Sequence, residues 1–559
     1  MPNSRSSILT RHFFRRFFDN DTLPISGDPE TSVVRAQCFV AVPALMFAFW
    51  LLPVYPNRPH WNVEGDRYFF VLFSFITMAT VATCEWEMLF PDRADFLILL
   101  PLPLKSGQLL YTKARALLTL IGLFLAAANL FSTILFSAVS TPGRGNYFHT
   151  FQAHCAAVTL AGIFGAFSLL SVEGLLHTLL PSRWFRAVST TLQTASITLL
   201  LLLFLLYPLI AGHLQSLLSG QTAMAQFIPP LWFLGLYQTL VEGSAAPAAA
   251  PSLAMLGLNA TAAAILLTAI TYPLAWSRQK KRAIEGAPQS RAKRTSRLTA
   301  ALHKTLLSHP QHRAIFHFLS QTIARSPRYQ VFLALYTGAG LAIALCSVIT
   351  LSESHNTVAL ALSTAGLHAA GPLLLFWLIA GLRSSFAYPV DLLARWVFPI
   401  NLQLDHPLPF PGPCAKASKT WVQLCCGLLT CLILAILLAL HWNPTRLLVQ
   451  AVCAAALSLL LTDLFFLGRT QIPFTKKRAS GLALAFLLYL VFFPTVIQLT
   501  VLFEMAAESR PYLLLWTLLG AATLHFFFQW LDHLARQGII GGFPEDETDP
   551  GPQTLGLFQ

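Results

Sequence analysis

Six ionisable side chains sit inside long apolar stretches of this 559-residue chain: Glu173, Asp463, His154, His177, His368 and His525. At mid-membrane such groups bind protons or Na⁺ and serve ion-coupled carriers. Their placement argues against a relay. Glu173 lies about two turns from one end of its run, and Asp463 lies near an end of its own. His154, His177 and His525 also fall toward run ends; only His368, in STAGLHAAGP, is well inside. One neutral imidazole and two near-terminal acids make a poor proton path. Glu173 and Asp463 read as snorkelling or helix-paired acids. His368, between Gly366 and Gly371, reads as packing at a helix crossing, where small residues allow close approach.

Other chemistries find less support. Cys38, Cys84, Cys155, Cys346, Cys425, Cys426, Cys431 and Cys453 lie in apolar runs, with no C-x-x-C pair and no zinc spacing. They read as small apolar helix residues, and no metal site is expected. ATP hydrolysis needs a Gly-rich P-loop ending in Lys-Ser/Thr, which is absent, as is H-E-x-x-H. A membrane-embedded glycosyl transferase would want acids on a large outside loop. The acids assigned to outside loops are few: Glu64, Asp66, Glu242, Glu504 and Glu508. No catalytic residue is assigned.

The elements that must position these groups are apolar helices. The chain is 55% hydrophobic and 11% charged, with a mean hydropathy of +0.61. A soluble domain carries about 25% charged residues, so this chain needs lipid around it. Runs of about 20 apolar residues cross the hydrocarbon. Twelve are expected, at about 34–55, 67–85, 109–138, 152–180, 187–211, 252–276, 328–350, 358–382, 419–440, 444–467, 481–503 and 511–531. Backbone groups in lipid must bond within the segment, so the spans are helices. Alternation of the barrel type is missing. Trp50, Trp86, Trp276, Trp421, Trp442 and Trp530 fall near span ends, as interfacial anchors do.

With the N-terminus in the cytosol, only Arg58, Arg67, Arg144, Arg446 and Arg510 of the 37 Lys and Arg residues lie in outside loops. That asymmetry places both termini inside. It also explains the net charge of +13 without nucleic acid. The expected organisation is a cytosolic tail with an interfacial helix (1–33), a six-helix half (34–276), a basic linker with a second interfacial helix (277–327), a second six-helix half (328–531) and a cytosolic tail (532–559). In RHFFRRFF, Phe13, Phe14, Phe17 and Phe18 share one helical face, and Arg11, Arg15 and Arg16 the other. In HRAIFHFLSQTIARSPRY, Ile315, Phe318, Leu319 and Ile323 repeat the pattern before an Arg-Ser-Pro stop. The fold class is an all-α polytopic membrane protein of about twelve transmembrane helices in two six-helix halves.

Each half opens alike: amphipathic helix, span, short outside loop, span, long irregular inside loop. The first such loop contains PDRADFLILLPLPLKSGQ and the second FAYPVDLLARWVFPINLQLDHPLPFPGPCAKASK. Pro101 and Pro103 break the first after an apolar run too short to cross a bilayer. FPDRADFLILLPLPLKSGQLLYTKA resembles the first long cytosolic loop of type-2 ATP-binding-cassette (ABC) exporter permeases. IPPLWFLGLYQ is similar to the Pro-Pro-aromatic re-entrant segment before their last span. The resemblance implies a permease in a bacterial-type inner membrane, with short coupling helices docked on a cytosolic ABC ATPase subunit that holds the ATP. It implies no cofactor on this chain. Coupling contacts would be Asp92, Arg93, Asp95, Phe96 and Leu97, then Asp391, Arg395 and Trp396, with secondary contacts from PSRWFR (Pro181–Arg186) and RTQIPFTKKR (Arg469–Arg478). Family members have six spans and dimerise. Twelve spans correspond to a fused pair, and a homodimer is the other assembly the resemblance allows. The second half departs from the pattern, since EMAAESRP replaces the re-entrant segment.

Overall fold

The computed structural model describes residues 5–18, 29–51, 60–85, 104–140, 146–219, 223–285, 303, 307, 309–354, 357–386, 413–467, 474 and 482–536. Its helices are α1 (Arg5–Phe18), α2 (Pro29–Leu51), α3 (His60–Cys84), α4 (Ser106–Ser140), α5 (Tyr147–Leu179), α6 (Ser182–Leu205), α7 (Tyr207–Gly212), α8 (Leu214–Leu218), α9 (Pro229–Glu242), α10 (Ala250–Glu285), α11 (Pro310–Arg325), α12 (Pro327–Val348), α13 (Thr364–Phe386), α14 (Pro413–Ala439), α15 (Pro444–Phe465), α16 (Leu482–Ser509) and α17 (Leu513–Arg536). Among the described residues, 11 helices are long and apolar enough to cross a membrane, and the apolar Phe332–Val348 stretch of α12 is a shorter twelfth. The protein is an all-α, polytopic integral membrane protein.

Two compact units divide the chain. The first comprises Met1–Ser290 with Thr350–Ala361; the second comprises Arg291–Ile349 and Leu362–Gln559. In the first unit, α5 packs against α3, α4, α9 and α10. Its small residues allow this: a methyl group on Gly165 would lie 2.6 Å from the Phe75 carbonyl oxygen on α3. In the second unit, α13 packs against α12, α14, α15 and α16. The helices α3 and α13, each the second span of its half, are the most enclosed. The helices α2, α14 and α17 instead turn most of their apolar surface outward, including Phe39, Leu428, Leu515 and Trp516.

Three expectations are corrected. The span expected over 187–211 is present but ends early: Ala187–Leu205 of α6 is long and apolar enough to cross, and Pro208 sits in the first turn of the separate helix α7. A proline lacks the N–H that would continue the ladder, so apolarity alone does not make a rod. The stretch between the seventh and eighth spans is a β-hairpin, β1 (Ile349–Ser354) with β2 (Thr357–Leu362), rather than helix ends and a loop. Its Ile, Thr and Val content favours strand over helix. Glu64, Asp66 and Arg67 lie within α3, and Glu504 and Glu508 lie on α16, rather than on outside loops. Glu64, Asp66, Arg67 and Glu504 are buried. A hydropathy count stops a span at its first charges; opposite charges that meet inside the bundle let the helix run on.

Candidate functional site

Two features repeat in both units and are candidates for function. The first is a brace at the base of the long loops. Phe13 and Phe17 of α1 are buried in one apolar cluster with Leu109, Ala116 and Leu117 of α4. Lys113 of α4 places its ammonium 5.5 Å from the Phe13 ring centre. The phenylalanine face expected to lie on lipid is thus partly spent on protein. Removing each of these rings from water is worth about 1.5–3 kcal/mol. The helix they hold, α4, starts at Ser106, directly where the first loop returns through Leu104 and Lys105.

The second unit repeats this with different residues. Ile315 and Leu319 of α11 are buried with Ala417 and Val422 of α14, the third span of that half. Burial, with Lys416 of α14 and His309 nearby, holds the His312 imidazole below its ordinary value. The second loop departs after Phe386, whose carbonyl accepts from the Phe474 N–H at 3.1 Å. Phe474 contacts the rings of Phe318, Tyr329 and Phe386. Asp92, Arg93, Asp95, Phe96, Leu97, Asp391, Arg395 and Trp396 themselves lie outside the described residues. Of the secondary contacts, Pro181 caps α6 and Ser182 begins it.

The second feature is a set of buried ionic clusters. In the first unit, the Arg67 guanidinium bridges Glu64 of α3 and, at 3.0 Å, Glu242 of α9. Gln238 of α9 donates to the other Glu64 oxygen at 2.8 Å. Tyr237 lies beneath Arg67, with 4.9 Å between guanidinium carbon and ring centre. Glu64, Arg67 and Gln238 are all buried, so the network staples the segment carrying IPPLWFLGLYQ to the second span. Glu173 pairs with His177 one turn along α5, at 3.6 Å, and Gln279 of α10 donates to His177 at 2.9 Å.

In the second unit, Asp463 of α15 accepts from Lys419 of α14 at 2.9 Å and contacts His525 of α17. Gln529 then approaches the far nitrogen of His525 at 2.8 Å. An acid near the end of the fourth span of its half, joined to a histidine and a glutamine, therefore occurs in each unit. That agrees with reading Glu173 and Asp463 as helix-paired acids. We expect Lys419→Met to destabilise the protein by about 1.5–3 kcal/mol, the usual loss for a hydrogen bond to a charged group. Lys419→Met with Asp463→Asn should recover most of it, read as thermal unfolding in detergent.

The sequence predicts a packing role for His368 of α13. Its surroundings are packed, since Gly366 meets the Ser347–Val348 backbone of α12. Yet the ring also lies between Glu504 and Glu508 of α16, 3.4 Å from each. Neither partner is legible in the sequence, because hydropathy ends the span ahead of both acids. Among the described residues, no group of three or more His, Cys, Asp or Glu side chains could hold a metal ion.

Helical spans, braced loop bases and buried ionic clusters define a class: a polytopic helical membrane protein built of two units. No protein-family model, curated protein or solved structure matches the chain.

Proposed function

We propose that the chain is the permease subunit of an ATP-driven exporter of the type-2 ABC class, coupled through its long inside loops to a separate ATPase subunit. The observation that carries this reading is the repeated brace. In both units the amphipathic helix ahead of the first span is packed on the start of the third span, where the long loop rejoins the helical body. A push on either loop then moves α4 with α1, or α14 with α11, as one piece. Lipid alone would not supply such a lever. The LILLPLPL stretch, stiffened by Pro101 and Pro103, suits the docking end of that lever.

The test is a double substitution in the first loop. Asp95→Lys with Phe96→Ala should leave membrane insertion intact, abolish co-purification with the ATPase and remove ATP-driven transport. Normal pull-down and normal ATPase stimulation would overturn the assignment. A second reading, an ion-coupled carrier, is favoured by the buried acid–histidine contacts in both units. It expects transport without any ATPase that collapses with the proton gradient.

A further inference from the structure

We propose that Glu504, His368 and Glu508 form a proton-binding site, in which one proton beyond those of a neutral imidazole and two carboxylates is held among the three side chains. The inference goes beyond the exporter reading and stands whether ATP or an ion gradient supplies the energy.

His368 Nδ1 is 3.4 Å from Glu504 Oε2, and Nε2 is 3.4 Å from Glu508 Oε1. An ionised carboxylate only accepts, and a neutral imidazole has a single N–H. Flanked by two carboxylates, a neutral ring must aim its lone pair at one of them. An imidazolium bonds to Glu504 through Nδ1 and sets its positive charge against Glu508, whose Oε1 is within ion-pair range of Nε2 but outside hydrogen-bond geometry. Protonating one carboxylate meets the same need. Both alternatives add one proton.

Charge leads to the same count. Arg446 of α15 lies 3.3 Å from the second Glu508 oxygen and offsets one carboxylate. Glu504 is fully buried, and its Oε1 has no hydrogen-bonding partner among the described residues. Without the extra proton the cluster carries one uncompensated buried negative charge, which costs several kcal/mol. With it, two carboxylates face one guanidinium and one imidazolium, and the sum is zero. The proton comes from bulk water and returns to it, so the step needs no other reactant.

The other groups around the ring do not substitute for that proton. Trp442 covers one side at 4.8 Å between ring centres, and Arg446 also lies over this indole. Cys453 of α15 lies toward Glu504. The helix α12, packed along α13, brings its Cys346–Val348 end to this stretch, and none of those residues supplies a positive charge. Of the two lysines on α14, Lys419 is engaged by Asp463 and Lys416 lies beside His312. Gln450 of α15 is buried, with neither amide atom bonded among the described residues. Sodium suits the site poorly, because a cationic or donating imidazole occupies its centre.

Trp442 supplies the readout, since an imidazolium stacked on an indole quenches its emission. The experiment uses the full chain in vesicles of neutral lipid, with fluorescence followed as the pH is lowered and restored. The difference between wild type and Trp442→Phe isolates this ring from the other tryptophans. A reversible quench on acidification is expected in wild type. It should be lost in His368→Gln and reduced several-fold at the same pH in Glu508→Gln and in Glu504→Gln. If His368→Gln does not fold, Glu508→Gln decides, because Glu508 is partly exposed and its side chain is the easier one to replace. A quench that persists in His368→Gln, or that Glu508→Gln leaves at the wild-type level, would overturn the site.

Discussion

Gly366→Leu is expected to abolish the folded second unit, with little monodisperse protein recovered in detergent. The reason is steric and local. A Cβ at Gly366 would overlap the Ser347 carbonyl oxygen and lie 2.8 Å from Val348 Cα, both backbone atoms of α12. Backbone in a helix cannot turn aside as a side chain can. The same pair of helices is tight elsewhere: a Cβ on Gly340 would lie 2.6 Å from the Trp377 Cβ, and one on Gly381 would lie 2.7 Å from the Tyr336 Cβ. Three glycines thus set the approach of α12 to α13. Overpacking in a close-packed interior costs about 1–3 kcal/mol and occasionally more. Gly366→Ala should reach the top of that range and Gly366→Leu should exceed it. The control is Gly427→Ala on α14, where an added Cβ would meet nothing within 4 Å. Helix propensity favours alanine there by up to about 1 kcal/mol, so this variant should be neutral or stabilising. Equal losses for Gly366→Ala and Gly427→Ala would refute the account.

Gly366 is also a measure of what the sequence discloses. Small residues beside His368 signalled a close crossing, and one exists. The apolar runs placed the spans because lipid demands helices about 20 residues long, a constraint each segment meets by itself. The amphipathic helices were legible for a similar reason, as a 3.6-residue period is local. What could not be read was which charges meet. Glu64 and Arg67 stand three apart on one helix face, a spacing that suggests a pair. Their other partners, Gln238 and Glu242, lie in a segment far along the chain. His368 and Glu504 are likewise far apart along the chain. Hydropathy treats each charge as a cost to its own helix. It has no means of crediting the neighbour that removes the cost, so it moved these residues into loops.

That same coupling makes Arg67→Met the second large effect. Arg67 is the cation to which Glu64 and Glu242 both turn. Removing it leaves the buried Glu64 carboxylate with the Gln238 amide and strips Glu242 of its ion pair. Breaking a buried pair from one side costs about 3–5 kcal/mol, because an uncompensated charge stays behind. We expect Arg67→Met to lower stability by that amount in thermal or denaturant unfolding in detergent. The loss should be larger than for Glu242→Gln, whose side chain is partly exposed and whose removal leaves Arg67 with Glu64. The decisive comparison is Arg67→Met with Glu64→Gln and Glu242→Gln. It removes all three charges, so no buried ion is left unpaired, and most of the stability should return. A loss in the triple variant as deep as in Arg67→Met would mean that guanidinium shape and packing over Tyr237, rather than charge balance, hold α9 to α3. Recovery would locate the energy of this contact in mutual neutralisation, the same physics that lets charged residues run on into α3 and α16.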